Sequence, residues 1–347
     1  MSARPGGTAT AAPGQLGQGG QVGLADDRPA AGPGGGGPRA VVVAELGEVL
    51  APCPPLGAAA PVLHTGAFVV DPPFYGDGDI GQVAVCGTVN ELAAAGAEPV
   101  ALTLSVIAEA GLPLARLRRM AGSVRDSARA AGVVVTAVDV RVVRAGEADQ
   151  LYVQVTGVGV FRDGSPVAAP VRAGDRVLLS APLGGYGAHL LSVRGLLGYE
   201  SIIGGGCAPL GGLLAEVRRA VPAGAVRVVR PVAGEGLAPV LDSLAGAAGL
   251  GLRVEELALP VQYEVRMALD TLGVAPWHAS SANCACLVVA PEHADAVLAA
   301  LRAHPQGADA AEVGEVSAGS GAGVLLVRAD GRAVPLLPET APPARLS

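Results

Sequence analysis

The sequence predicts an α/β (α+β) protein built as two domains. Strand-like and helix-like apolar patterns alternate along most of the 347 residues, the arrangement expected of layered αβ domains. The alternation restarts at Ala173-Gly174-Asp175, a turn followed at once by the apolar run Val177-Leu178-Leu179. Half of the chain is hydrophobic, enough to bury a sizeable core, and with only 3% aromatic residues that core is built from Val, Leu and Ala. The predicted boundaries are a Gly/Pro-rich tail over 1–38, a first domain over 39–163, a second over 171–334 and a loose Pro-rich tail over 335–347.

In the first tail almost no large apolar residue repays the entropy of ordering. Ala67-Phe68-Val69-Val70 reads as a strand ending in a turn cluster, Asp71-Pro72-Pro73 through Tyr75-Gly76-Asp77-Gly78-Asp79. A helix follows from about Gly81, with Gly96 as its C-terminal stop and Pro99 just beyond. Val100 to Val106 reads as a strand. Leu114, Leu117, Met120, Val124 and Ala128 recur at helical spacing, and Gly132 closes that helix. Val133 to Val140 and Tyr152 to Val160 read as strands.

In the second half, helices are expected near Leu237 to Ala247, Val261 to Leu272 and Pro291 to His304. Strands are expected near Leu252 to Val254, Ala285 to Val289, Val313 to Val316 and Val324 to Val327.

Charge and composition exclude several functions. The formal net charge of −7 gives no electrostatic reason to expect nucleic acid. No basic run marks a membrane surface, and no apolar stretch is long enough to span one. The chain has no lysine, so all 24 basic residues are arginine. That removes a Walker-type phosphate loop, a Schiff-base lysine and a lysine general base. Five cysteines with no secretory pattern point to reduced thiols in the cytoplasm.

The strongest local feature is the glycine-rich acidic turn from Asp71 to Gly81, running into Cys86-Gly-Thr88-Val-Asn90-Glu91. Carboxylates in such a turn before a helix can hold Mg²⁺ and orient a nucleotide's phosphates, or can simply cap the helix. Asn90, one turn beyond Cys86, is a ligand contact or a satisfied core amide. Asp139 interrupts an apolar strand, either near its end or for function. Cys284-Ala-Cys286 places two thiols on one face of a strand and, without further ligands at metal spacing, reads as buried structural cysteine. His278, after the single Trp277, reads as structural; Gly184-Gly-Tyr-Gly187 and Gly204-Gly-Gly206 are weak signals in a chain of 51 glycines.

The run Val69-Val-Asp-Pro-Pro-Phe-Tyr-Gly-Asp-Gly-Asp-Ile-Gly-Gln-Val-Ala-Val-Cys-Gly-Thr-Val-Asn-Glu-Leu-Ala-Ala-Ala-Gly-Ala-Glu-Pro99 resembles the HypE family of hydrogenase maturation proteins. So do Gly198-Tyr-Glu-Ser201, Cys207-Ala-Pro-Leu210 and Ala290-Pro-Glu-His through His304, and the similarity extends from about Gly34 onward. That family belongs to the ATP-binding superfamily of aminoimidazole ribonucleotide synthetase and selenophosphate synthetase. The resemblance implies that two-domain fold, a homodimer pairing its N-terminal sheets, and ATP with Mg²⁺ nearby. In the family, HypF carbamoylates a C-terminal cysteine and ATP-dependent dehydration leaves a thiocyanate. The cyano group then passes to the iron of [NiFe] hydrogenase through HypC and HypD.

Carried over residue by residue, Asp71, Asp79, Thr88, Asn90 and Asp139 match family positions around the nucleotide. Glu91 stands where an aspartate is usual and Arg141 where a lysine is usual. Other positions depart. Gly34-Gly35-Gly36-Gly37-Pro38 replaces a His-Gly-Ser-Gly-Gly loop, and Thr65-Gly66-Ala67 replaces Thr-Asp-Ser. Arg230-Pro231-Val232-Ala233-Gly234 replaces Asp-Pro-Thr-Arg-Gly-Gly, and Ser281-Ala282-Asn283-Cys284 replaces Asn-Glu-Gly-Lys. Ser347 stands in place of the family cysteine. The expectation is a HypE-like maturation protein that is catalytically degenerate. It would act as partner or scaffold of a complete HypE, of HypF or of the HypC–HypD complex. The alternative is an active ATP-dependent carbamoyl dehydratase, or a repurposed enzyme of the superfamily.

Overall fold

The computed structural model describes residues 37–57, 59–161, 169–195, 203–318 and 323–338, all within one compact unit beginning at Gly37. The elements of its first half are α1 (Pro38–Leu46), β1 (Pro61–Phe68), β2 (Phe74–Tyr75), β3 (Gly78–Asp79), α2 (Ile80–Ala94), β4 (Glu98–Glu109), α3 (Leu114–Ala131), β5 (Val134–Val143) and β6 (Leu151–Val160). The second half continues with β7 (Arg176–Leu179), α4 (Gly185–Val193), α5 (Gly211–Ala220), β8 (Val226–Pro231), α6 (Leu237–Ala248), β9 (Gly251–Glu255), α7 (Tyr263–Thr271), β10 (Ala285–Val289), α8 (Ala294–Ala303), β11 (Ala311–Ser317), β12 (Gly323–Val327) and β13 (Ala333–Pro335).

Two large sheets carry these elements. The first has the order β1-β6-β4-β5, with β4 and β5 parallel and the other pairs antiparallel. The second has seven strands in the order β13-β12-β9-β11-β7-β10-β8. Each half buries its own apolar cluster: Ile80, Val85, Leu102, Met120 and Leu151 belong to the first, and Val177, Leu241, Val254, Trp277 and Cys286 to the second. The two-domain αβ expectation is met.

Most elements fall where the apolar spacing puts them, and the differences have physical causes. The first strand is Pro61–Phe68 rather than Ala67 to Val70. Its residues alternate exposed and half-buried, so Val62, His64, Gly66 and Phe68 face α2, and Ala67-Phe68-Val69-Val70 marks only its exit. The helices α1, α4 and α5 escape the periodicity reading because Gly and Pro sit at their starts, at Pro38, Gly185 and Gly211-Gly212. The chain from Pro335 was expected to be loose. Instead Pro335 ends β13, and Leu336 is buried, its amide donating to the Val324 carbonyl.

Helix α2 meets α3 so closely that only glycine fits between them. A methyl group on Gly81 would stand 2.5 Å from the Met120 carbonyl oxygen. Gly81→Ala should therefore push the helices apart and cost about 1–3 kcal/mol, read as a lower midpoint of thermal unfolding. Gly122→Ala is the control: on α3 its added methyl meets nothing nearer than the Arg125 guanidinium at 3.8 Å, and the midpoint should hold or rise, because alanine is the better helix former.

Candidate functional site

The acidic turn forms a small, tightly held structure. Phe74–Tyr75 and Gly78–Asp79 pair as a two-residue hairpin after a cis Asp71–Pro72 peptide. Arg119 reaches across from α3 and donates to the carbonyls of Gly76 and Gly78 at 2.9 and 2.8 Å. The Arg116 and Arg119 guanidiniums lie 5.4 and 5.8 Å from the centre of the Phe74 ring, within cation–π range. Tyr75 is buried, its ring edge-on to those of Tyr186 and His189.

Asp79 is fully buried at the N-terminus of α2. Its Oδ1 accepts from the amides of Gly81 and Gln82, the arrangement of an N-cap. Its Oδ2 accepts from the Ser123 hydroxyl at 2.6 Å and lies 3.5 Å from Arg119 Nε. Both carboxylate oxygens are thus occupied. Burial holds its carboxyl above the ordinary carboxylate range, against the pull of Ser123, the cap amides and Arg119.

The other residues of this helix are also engaged. The Thr88 hydroxyl donates back to the Ala84 carbonyl at 2.8 Å. Asn90 is a satisfied amide: it donates to the Ala208 carbonyl at 3.0 Å and accepts from the Leu210 amide at 2.7 Å. Glu91 is half-buried on the same helix. Asp71 lies at the rim, where Arg194 donates to its carbonyl at 2.7 Å and approaches its carboxylate at 3.8 Å.

Asp139 and Arg141 are not brought to the turn. Both are exposed on β5, paired with each other at 3.2 Å. In register Asp139 lies beside Ser105 and Arg141 beside Ile107, all on the sheet face turned away from α2. Ser347 lies outside the described residues, as do Gly198 to Ser201 and Gly34 to Gly36. Cys284 and Cys286 are both buried in the second core, as expected of structural cysteines.

Sequence reasoning missed Arg119, Gln82 and His189. Arg119 sits on the polar side of a helix read for its apolar face. Gln82 donates to the Cys207 carbonyl at 3.2 Å, a contact across 125 positions that no local pattern encodes. The His189 Nδ1 hydrogen-bonds the Ile203 carbonyl, and Nε2 faces the Asp77 carboxylate at 3.8 Å. A separate open groove of about 1190 Å³ runs between the C-terminal end of α2 and β8, with Arg218, Arg219, Arg230 and His304 in its wall; it contains none of the residues of the turn.

Two family models match this chain. Residues 55–161 match the N-terminal domain of AIR synthase related proteins and residues 172–327 the C-terminal domain. Fold and site thus define a two-domain AIR synthase related protein. The carbamoyl dehydratase HypE of Azotobacter vinelandii is 40% identical over 258 residues, 74% of this chain and 75% of that protein. The Bradyrhizobium diazoefficiens HypE is 42% identical over 74% of each, and that of Escherichia coli K12 is 36% identical over 73% of this chain and 74% of its own. Among solved structures, E. coli HypE superposes with a TM-score of 0.81 at 31% identity, covering 89% of this chain and 98% of that one. A HypE in complex with ATP superposes at 0.77 and 32% identity over 82% and 87%, and a HypE–HypF complex at 0.76 and 31% over 80% and 90%. The chain belongs to the HypE family.

Asp79 offers a pH signature. Its folded-state value is raised, so between about pH 4, where a free Asp titrates, and that raised value the native state binds more protons than the unfolded one. Its contribution to stability is then greatest at the acidic end and is lost as pH rises through the folded value. Asp79→Asn keeps an oxygen for the cap amides and cannot titrate. The difference in stability between Asp79→Asn and wild type should therefore shift in favour of the variant as pH rises across that window, measured by urea unfolding at a series of pH values.

Proposed function

We propose that this chain serves hydrogenase maturation as a HypE-type protein that no longer performs carbamoyl dehydration, and acts there as a binding partner. A complete HypE, HypF and the HypC–HypD pair are the partners the family offers. The observation that carries this reading is the state of the carboxylates. Mg²⁺ with a nucleotide needs carboxylate oxygens on the ion and cations or backbone donors on the phosphates. Asp79 has both oxygens committed to capping α2 and to Ser123 and Arg119. Asp139 is paired with Arg141 on the far face of the sheet. Gly66 supplies no acid, and a Cβ built there would meet the Phe68 ring at 2.6 Å. Arg230, near the lost Asp-Thr-Arg cluster, donates to the adjacent Val229 carbonyl. Asp71 and Asp77 remain at the rim, next to Arg194 and His189. These residues do not fit an Mg²⁺–triphosphate group.

Loss of three charged contacts, at about 1.5–3 kcal/mol each, would weaken a nucleotide by several orders of magnitude. Calorimetry with Mg·ATP should therefore give no binding in the micromolar range, and the chain should not restore hydrogenase activity to cells lacking HypE. Low-micromolar affinity together with restored activity would instead establish the active-dehydratase reading, which the 36–42% identity to carbamoyl dehydratases favours.

A binding partner needs a binding surface. The face of the first sheet turned away from α2 exposes Leu63 and Ile107, 68% and 41% accessible. Those side chains lie on the edge strand β1 and on β4, two strands across the sheet. We propose this face as the seat of a second copy or of a complete HypE, which would cover exposed apolar side chains. Sedimentation should show dimer at micromolar concentration for the wild type and monomer for the Leu63→Arg/Ile107→Arg double variant. A monomeric wild type would remove the homodimer.

A further inference from the structure

Cys86 and Cys207 come from opposite halves of the chain and meet at one joint. Gln82, Cys86 and Asn90 follow one another at intervals of four on α2, so they share a face. The two outer residues of that row grip a single extended stretch: Gln82 donates to the Cys207 carbonyl at 3.2 Å, and Asn90 bonds Ala208 and Leu210. Cys86, the middle residue, is therefore aimed at the same stretch, and its thiol is the group that most strongly influences that of Cys207. Cys86 is buried, whereas Cys207 is only half-buried as a residue.

We propose that Cys86 and Cys207 are a redox pair that closes reversibly to a disulfide under peroxide, tying α2 to the stretch before α5. Atoms and electrons balance with hydrogen peroxide as the two-electron oxidant. The Cys207 thiolate attacks a peroxide oxygen, the O–O bond breaks, and the leaving hydroxide takes up the thiol proton as water. The product is a sulfenic acid on Cys207. The Cys86 thiolate then attacks the Cys207 sulfur, the S–S bond forms, the S–O bond breaks, and hydroxide leaves as water with the Cys86 proton. Two thiols and one peroxide give one disulfide and two waters, and a dithiol reverses the bond by exchange.

The remaining cysteines serve as internal comparisons. Cys53 is exposed and faces no partner thiol in the fold. Cys284 and Cys286 are buried in the second core; burial pushes the Cys284 thiol up to about 11 and the Cys286 thiol higher still. Such thiols are inert. The Cys86 thiol beside it, and burial after that, likewise hold the Cys207 thiol well above its ordinary range. Tyr75 and Tyr186 are the other titratable groups that face it. Reaction is therefore slow and timed by opening of the Cys207 stretch. Once Cys207 is oxidised, its resolving partner is already in place. The disulfide would join residue 86, in the N-terminal family domain, to residue 207, in the C-terminal one.

The test uses the full chain. Wild type and a Cys53→Ser variant are exposed to a modest excess of hydrogen peroxide, trapped with N-ethylmaleimide in acid and denaturant, and mapped without reduction. The expected result is a peptide pair joined through Cys86 and Cys207, two hydrogens lighter than the free thiols and separated by dithiothreitol, with Cys284 and Cys286 alkylated. Cys86→Ser and Cys207→Ser should each abolish it. Hydrogen exchange over residues 203–210 should slow by about tenfold or more in the oxidised form, because those amides then exchange only through a larger opening. The proposal is overturned if Cys86 and Cys207 are recovered as free thiols while Cys53 of the same sample is oxidised. It is equally overturned if Cys207 proceeds to sulfinic acid without the crosslink, or pairs with Cys284 or Cys286. These outcomes do not depend on whether the chain binds ATP.

Discussion

The structure depends on one helix being buried on nearly every side. Helix α2 packs against β1 and β6, against α3, and against α5 and β8 of the second half. Its residues Ile80, Ala84, Val85, Val89, Leu92 and Ala93 are all buried. A helix in that position exposes its ends to the core, where unsatisfied amides and carbonyls are costly. The chain answers with charge of the appropriate sign at each end. The Asp79 carboxylate takes the first amides, and Arg218, reaching from α5, donates to the carbonyls of Ala93 at 2.6 Å and Ala94 at 3.3 Å. Both choices also oppose the helix dipole.

This arrangement explains why chemistry-bearing residues do structural work here. Asp79 cannot leave its cap without exposing the amides of Gly81 and Gln82, and its burial is tolerable because four donors converge on two oxygens. Asn90 cannot turn to a ligand without freeing Ala208 and Leu210. Asp79, Thr88 and Asn90 all have their polar side-chain atoms engaged within the protein.

The joint between the halves has a similar logic. Gln82, Cys86 and Asn90 present one polar row from an otherwise apolar helix, and the Cys207 to Leu210 stretch supplies the matching backbone groups. Arg218 adds a fourth connection at the far end of the same helix. The second half is thus registered on α2 by directional bonds rather than by apolar contact alone, which fixes where the acidic turn, α4 and the Cys207 stretch come together.

The sequence by itself determined the element pattern, because hydrophobic spacing is local. The 3.6 period of Leu117, Met120, Val124 and Ala128 defines α3, and the Gly132 left-handed cap at φ 69° ends it. The continuous apolar run of β10 marks a strand buried on both faces. The resemblance carried by the Val69 to Pro99 run also identified the family without any coordinates. Tertiary structure alone decided what those residues do. Pairing β5 in parallel beside β4 turns Asp139 and Arg141 to the face opposite α2, a consequence of the two-residue side-chain alternation that no motif records. Arg119 and Arg218 act on carbonyls 41 to 43 and 124 to 125 positions away. The sequence could name the acids of the turn, but whether each was free or committed depended on partners that only folding brings within hydrogen-bond distance.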